Sequence, residues 1–196
     1  MGRILARFWI MAFLLVFVTT GRVEARGIAG RELAETVTRA DKALKLNGVG
    51  LREKYYFDIY VLGAYTESGT CDPARMIKDD EVKLLRMEFV RSVPAKRLQA
   101  EVRKMVSSRL PVSATDADRQ QSESFIAMYD FDVTKETIVE LLYVPGTGVT
   151  ATRDGRPMGA VLPGKSLQET LWSTYVGPDP CCPATRRQLL ESCQPM

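Results

Sequence analysis

Arg52 is the residue of this chain best placed to do chemistry. It follows Gly48 and Gly50 and precedes a stretch of tyrosine, phenylalanine, isoleucine and valine that runs from 55 to 65. The glycines predict a turn between two short extended pieces of 42–54, since glycine permits backbone angles that other residues resist. A guanidinium at the mouth of a strand can hold a carboxylate through two parallel hydrogen bonds. Arg52 is therefore a candidate ligand anchor, and the alternative is a structural or surface arginine.

The stretch 55–65 predicts a long strand whose side chains alternate between two faces. One face is mixed and carries Tyr56, Asp58, Tyr60, Leu62 and Ala64. The other is almost wholly apolar, is expected to meet the core, and carries Tyr55, Phe57, Ile59, Val61 and Tyr65. A cleft lined by the mixed face would have a hydrophobic body and a few polar anchors such as Tyr60, as small-molecule sites do. Ordinary sheet packing is the alternative interpretation.

Several other kinds of chemistry are not indicated. The chain has no histidine, which removes Ser-His-Asp and Cys-His nucleophiles and any histidine acid or base. It has no C-x-x-C spacing, so a zinc site is not expected. Gly48-Val49-Gly50 lacks the third glycine of a dinucleotide-binding turn. We therefore predict no catalytic residue, no metal and no cofactor.

The first 25 residues have the layout of a secretory signal peptide. Arg3 and Arg7 precede eleven consecutive apolar residues, and Val23-Glu24-Ala25 offers a small-residue cleavage site. The apolar run is too short for a membrane span, which needs about 20 residues, although an uncleaved anchor is the alternative. We predict a signal peptide over 1–25, one domain over 26–196, and a periplasmic or secreted protein without a membrane span.

Removal of 1–25 leaves 24 basic against 23 acidic residues, which argues against a nucleic-acid partner. Export makes disulfides plausible for the four cysteines, Cys71, Cys181, Cys182 and Cys193. Adjacent cysteines rarely bond to each other, so one of Cys181 and Cys182 is expected to pair with Cys193 and the other with Cys71. The sequence cannot choose among the three complete pairings.

Periodicity and turn signals outline the remaining elements. Strands are predicted over 82–90, 137–144, 149–153 and 157–162, and residues 26–34 are expected to be a loose leader. Helices are predicted over 73–78, after a Ser92 cap, after Thr115 with Asp118 as a capping partner, from Ser166 to Gly177, and over 184–191. Strands at both ends with helices between and after them indicate an α+β fold with a largely antiparallel sheet.

An ordered set of motifs resembles the bacterial chalcone isomerase-like proteins, which are exported and of about this length. The set comprises 46–52, 56–61, 143–148, Asp154-Gly155, Met158-Gly159, Leu171-Trp172 and Gly177. The resemblance covers nearly the whole chain after residue 25. It implies an open-faced β-sandwich-like fold, in which a large antiparallel sheet has helices packed on one face and a cleft between them.

Chalcone isomerases of plants close a flavanone ring in that cleft, with an arginine, two threonines, a tyrosine and an asparagine. By the resemblance Arg52 matches the arginine, Tyr60 and Met158 replace the threonines, and Leu98 and Met105 replace the tyrosine and the asparagine. Apolar side chains cannot donate the missing hydrogen bonds. Ring-closing isomerase activity, an intramolecular lyase reaction, is therefore the alternative rather than the principal prediction.

The same superfamily contains fatty-acid-binding members in which an arginine and a tyrosine grip the carboxylate. Arg52 and Tyr60 match that pair, and Leu98, Met105 and Met158 would line an apolar tunnel, where methionine adapts well to flexible ligands. The resemblance thus implies a non-catalytic protein whose partner is a fatty acid or similar apolar carboxylate. A structural or partner-binding envelope domain is the third possibility, and the oligomeric state stays open.

Overall fold

The computed structural model describes residues 25–193. Its strands are β1 (Ala25–Ile28), β2 (Arg31–Ala34), β3 (Thr36–Arg39), β4 (Lys42–Lys54), β5 (Phe57–Thr66), β6 (Lys83–Phe89), β7 (Ile138–Val144), β8 (Gly148–Arg153) and β9 (Arg156–Pro157). Its helices are α1 (Pro73–Lys78), α2 (Ala95–Ser107), α3 (Asp116–Ala127), α4 (Ser166–Val176) and α5 (Pro183–Glu191). The predicted signal peptide falls, apart from Ala25, outside the described residues. Within 25–193, no helix is both long enough and apolar enough to cross a membrane.

Strands β3 to β9 form one sheet of seven strands, and each strand pairs antiparallel with the next along the chain. The main core lies between this sheet and α2, α3 and α4. It is built from apolar side chains such as Leu62 on β5, Leu141 on β7, Val102 on α2, Ile126 on α3 and Trp172 on α4. The predicted α+β class, an antiparallel sheet with helices on one face, is confirmed.

The opposite face of the sheet is also covered, by the β1–β2 hairpin. Leu33 of this hairpin is buried with Val61 and Tyr65 of β5 in a second, smaller core. A side chain at Gly63 would collide with the Leu33 side chain, so the hairpin lies tight against the sheet. The prediction that 26–34 is a loose leader is therefore wrong. Val61 and Tyr65 meet this smaller core, and Tyr60 on the other face of β5 is buried in the main core.

Strand β4 is a single strand of 13 residues and does not turn at Gly48 and Gly50 as predicted. These glycines instead admit helix α5. A Cβ on Gly48 would run into the backbone of Leu189, and one on Gly50 would lie 2.7 Å from the carbonyl oxygen of Thr185. Glycine is required at both positions because helix α5 comes so close to β4. The sequence alone does not distinguish this role from that of a glycine in a turn.

Helix α5 also completes hydrogen bonds that the outer edge of β4 would otherwise lack. The Ser192 hydroxyl accepts from the Val49 amide, and the Gln188 side chain accepts from the Leu51 amide at 2.7 Å. The Thr185 hydroxyl donates to the Leu51 carbonyl oxygen at 2.7 Å. A helix thus protects an open strand edge, and it does so next to Arg52.

The cysteine pairing differs from the expected one. Cys71 bonds to Cys193, and the adjacent Cys181 and Cys182 bond to each other. The first bond ties the C-terminal end of α5 to the loop after β5. The second immediately precedes α5, for which Cys182 is the N-cap residue.

Most of the other predicted elements are present with ends within one residue of the prediction, and three differ more. Strand β5 begins at Phe57, and the two residues before it form the hairpin turn. The N-cap position of helix α2 is Pro94 rather than Ser92, and the proline side chain makes no capping hydrogen bond. The predicted strand 157–162 is reduced to β9, although Leu162 still bridges to Val149. The Thr115–Asp118 capping box of α3 is present as predicted.

Candidate functional site

An apolar cavity of about 420 Å³ opens between the helix-covered face of the sheet and helices α2 and α4. Its volume lies within the range of small-ligand sites, about 300–1,000 Å³. The walls are mainly aliphatic, aromatic and methionine side chains, among them Ile59, Met87, Phe89, Leu98, Val102 and Met105. Such a lining favours a ligand with a hydrocarbon body.

Arg52 and Tyr60 both line this cavity and are cross-strand partners on β4 and β5. Arg52 is partly buried, and a guanidinium N–H donates to the Glu53 carbonyl oxygen at 2.5 Å. Tyr60 is only 5% exposed. A β-bulge follows Arg52, where the register shifts between the Arg52–Tyr60 and Glu53–Asp58 pairs. The bulge ends regular pairing beside Arg52, and bulges commonly re-aim a side chain in this way.

Tyr60 is held by a residue that sequence reasoning missed. Its hydroxyl lies 2.9 Å from the hydroxyl of Tyr175 on α4, and both side chains are buried. Burial raises the pKa of Tyr60 and outweighs the lowering effects of the Tyr175 hydrogen bond and the Arg52 charge. Burial likewise raises the pKa of Tyr175. Both hydroxyls therefore stay protonated at neutral pH, so they can donate hydrogen bonds but cannot act as general bases there.

The sequence signal for Tyr175 was visible but ambiguous. Tyr175 lies on α4 at helical spacing from Leu167, Leu171 and Trp172, and all four are buried. A tyrosine in such a row has an apolar ring and a polar tip. Only the packing of α4 against β5 shows that its hydroxyl meets Tyr60.

Four cationic side chains that line the cavity are at least partly exposed to solvent and so mark its opening; we call them the cationic mouth: Arg52, Lys54, Arg91 and Arg97. The acidic residue among the lining side chains is Glu101, which forms an ion pair with Lys54. Arg91 stacks on the Phe57 ring, 3.9 Å from the ring centroid. The mouth therefore has an excess of positive charge that favours an anionic group.

The structure brings together four of the five predicted site residues. Arg52 and Tyr60 line the cavity from the sheet, and Leu98 and Met105 line it from helix α2. Met158 does not line it. Met158 follows β9 at the far edge of the sheet, where its amide bonds to the Ala151 carbonyl oxygen, four strands away from β4. Within residues 25–193 no cluster of His, Cys, Asp or Glu could hold a metal ion.

A seven-stranded antiparallel sheet that encloses an apolar cavity beneath helices on one face defines an α+β fold of the chalcone isomerase type. The chain belongs to the chalcone isomerase-like family, whose sequence profile matches residues 25–191. The match spans nearly all of the described chain and confirms the resemblance found in the motifs.

One solved structure with this fold is a fatty-acid binding protein of Arabidopsis thaliana. It aligns with a TM-score of 0.70 and 17% sequence identity, over 86% of this chain and 96% of that chain. At this identity the likeness establishes the fold alone. No curated protein sequence matches the chain.

Proposed function

We propose that this protein binds a fatty acid or a similar apolar carboxylate without transforming it. The hydrocarbon chain would fill the cavity, and the carboxylate would bind Arg52 and the Tyr60 hydroxyl. The observation that carries the proposal is an apolar cavity of about 420 Å³ with a partly buried arginine on its wall.

The surroundings of Arg52 support a carboxylate partner. Among the described residues Arg52 forms no ion pair with an acidic side chain, and its guanidinium donates a hydrogen bond to the Glu53 carbonyl oxygen. Other partly buried arginines of the chain, such as Arg26 and Arg86, are paired with glutamates. A guanidinium left without a carboxylate beside an apolar cavity suits an anionic ligand. The solved structure of the same fold described above is that of a fatty-acid binding protein.

Native mass spectrometry of the purified protein, followed by titration calorimetry with a long-chain fatty acid, tests the proposal. Arg52→Ala removes a charge-assisted contact worth about 1.5–3 kcal/mol, so affinity should fall by roughly tenfold or more. Arg52→Lys should restore only part of this, because a point charge cannot reproduce the planar fork. Arg119→Ala is the matched control, since Arg119 is exposed on α3 and does not line the cavity. Equal affinities for wild type and Arg52→Ala, with folding intact, would refute the anchor.

A chalcone assay separates binding from ring closure. The buried Tyr60–Tyr175 pair stays protonated near neutral pH, and Leu98 and Met105 offer no hydrogen-bond donor. We therefore expect no cyclisation above the spontaneous rate. A stereoselective rate clearly above that background would assign the protein to the isomerases instead.

We also propose that the protein is exported and loses residues 1–25. The support is the charged and apolar pattern of the N-terminus, with a small-residue cleavage site at Ala25. Mass analysis of native material should give a chain that begins at Arg26. An intact Met1 on a membrane-bound form would contradict it.

A further inference from the structure

The turn between β4 and β5 exposes three consecutive aromatic residues, which we call the aromatic tip: Tyr55, Tyr56 and Phe57. Their exposed fractions are 79%, 102% and 50%. The other large apolar side chains of 25–193 with comparable exposure, Val112 and Val161, stand singly. Scattered exposed apolar residues need no explanation, whereas a contiguous exposed group marks an interaction surface.

The backbone of the aromatic tip makes its composition more unusual. Tyr55 and Tyr56 have φ angles of +49° and +69°, in the left-handed region. Two-residue hairpin turns of this kind favour Asn-Gly, because side chains with a Cβ are strained there. Tyrosine at both positions neither packs into the core nor eases the turn. Residues held in such a conformation point to a function outside the fold itself.

The charge around the aromatic tip is distributed unevenly. On the cavity side lie the cationic mouth and its one acidic neighbour, Glu101. The acidic residues of the hairpin, Glu53 and Asp58, sit opposite each other in the strand register, and neither lines the cavity. The Arg91 guanidinium stacks on Phe57, and the Lys54 ammonium lies 5.4 Å from the centre of the Tyr55 ring. Aromatic and cationic groups are thus interleaved on one rim.

We propose that the aromatic tip and the cationic mouth dock onto an anionic phospholipid bilayer and place the cavity opening at the lipid surface. Tyrosine and tryptophan concentrate at membrane interfaces, where an apolar ring and a polar end are both satisfied. Lysine and arginine near the surface are attracted to anionic lipids. Tyr55, Phe57 and all four cations border the cavity itself, so a docked protein could exchange an apolar ligand without exposing it to water. The identity of the exchanged ligand rests on the proposed function, whereas the docking to the bilayer does not.

Vesicles of phosphatidylcholine mixed with phosphatidylglycerol test the docking without any fatty acid present. In Tyr56→Trp, the new indole at the aromatic tip should shift its emission to the blue and be quenched by brominated lipid. The test uses the mature chain that begins at Arg26 and so lacks Trp9; its native Trp172 is 2% exposed and supplies a fixed background. Val112→Trp is the control, because Val112 is equally exposed but lies beyond the C-terminal end of α2 and does not line the cavity, whereas Arg97 of the cationic mouth lies in the first turn of that helix. No shift in Tyr56→Trp, or equal shifts in both variants, would overturn the proposal.

Two further variants separate the aromatic and electrostatic contributions. Tyr55→Asn with Tyr56→Gly relieves the turn, so it should keep the protein folded while vesicle partitioning falls by about tenfold or more. Arg91→Ala with Arg97→Ala should weaken partitioning by a similar factor and reduce its dependence on salt. Binding to neutral vesicles that equals binding to the anionic ones would contradict the charge complementarity.

The docking and the proposed function can fail separately. If the protein does not bind vesicles but still binds the fatty acid in calorimetry, only the docking proposal is overturned. If the protein binds vesicles but has no affinity for the fatty acid, only the proposed fatty-acid binding is overturned. Self-association of the wild type that is lost in the Asn-Gly variant, with no vesicle binding, would assign the aromatic tip to a second copy of the chain and overturn the proposal.

Discussion

The hydroxyl of Tyr60 on β5 lies 2.9 Å from the hydroxyl of Tyr175 on α4, and the two form a buried polar pair in an otherwise apolar wall. The pair joins the sheet to the helix layer at the cavity beside Arg52. Each hydroxyl gives the other a hydrogen-bond partner. A buried hydroxyl without a partner would lower the stability of the fold. A ligand carboxylate that accepts from Tyr60 would therefore enter a hydrogen-bond network that already exists.

Removing either hydroxyl of this pair should reveal their coupling. Tyr60→Phe and Tyr175→Phe should each lower the free energy of unfolding by about 1–3 kcal/mol, because each leaves a buried partner unsatisfied. The double variant should cost less than the sum of the two. Urea denaturation of the wild type, the two single variants and the double variant gives the interaction energy of the two hydroxyls as a double-mutant cycle. Strict additivity would mean that the two hydroxyls do not interact.

Gly48→Ala should displace helix α5 from β4. The added Cβ would meet the Leu189 backbone, which has no flexible end to move aside, so unfolding free energy should fall by about 1–3 kcal/mol. Because Arg52 lies four residues further along β4, fatty-acid affinity should fall as well. Gly146→Asn is the control: Gly146 has a φ of +74°, which asparagine tolerates, and a Cβ added there would have no neighbouring atom within 4 Å. An unchanged stability in Gly48→Ala would contradict the close-approach role.

Lys83 should make stability depend on pH. It is fully buried, its ammonium donates to the Met76 carbonyl oxygen at 2.8 Å, and burial lowers its pKa from 10.5 to about 8. Above about pH 8 the unfolded chain holds this proton more tightly than the folded one, so stability rises with pH there. The gain should reach on the order of 1–2 kcal/mol by about pH 9.5.

The test for Lys83 is the difference in unfolding free energy between wild type and Lys83→Met. It is measured by urea denaturation at pH values from about 7 to 9.5. Buried tyrosines such as Tyr65 and Tyr129 have raised pKa values and act oppositely, as the unfolded chain loses their protons above about pH 10. They contribute equally to both proteins and cancel in the difference. A difference that does not change with pH would show that Lys83 titrates normally.

The Cys71–Cys193 disulfide should carry much more stability than the Cys181–Cys182 one. It joins residues 122 positions apart, whereas the second joins neighbours and closes no long loop. Replacing Cys71 and Cys193 with serine should cost about 2–5 kcal/mol of unfolding free energy. The matched double serine variant at Cys181 and Cys182 should cost far less. A larger loss in that second variant would contradict the loop-entropy argument.

Much of this molecule follows from local signals in the sequence. The run 138–144, rich in β-branched, aromatic and other apolar residues, forms a strand whose Val139, Leu141 and Tyr143 are buried. The Thr115–Asp118 spacing produces a capping box. The α+β class and the candidate pair of Arg52 and Tyr60 follow from such patterns and from the family motifs. These features depend on neighbours a few residues away, so a sequence pattern is enough to indicate them.

Features that depend on contacts between distant segments of the chain were decided by the tertiary structure alone. Gly48 and Gly50 predicted a turn, but helix α5, more than 130 residues later in the chain, packs against them within one continuous strand. Tyr175 and the partners of the four cysteines became clear only through packing. Met158, expected in the cavity, lies at the other edge of the sheet. The physical reason is the same in each case: a residue type fixes what a side chain can do, and the fold fixes which group it meets.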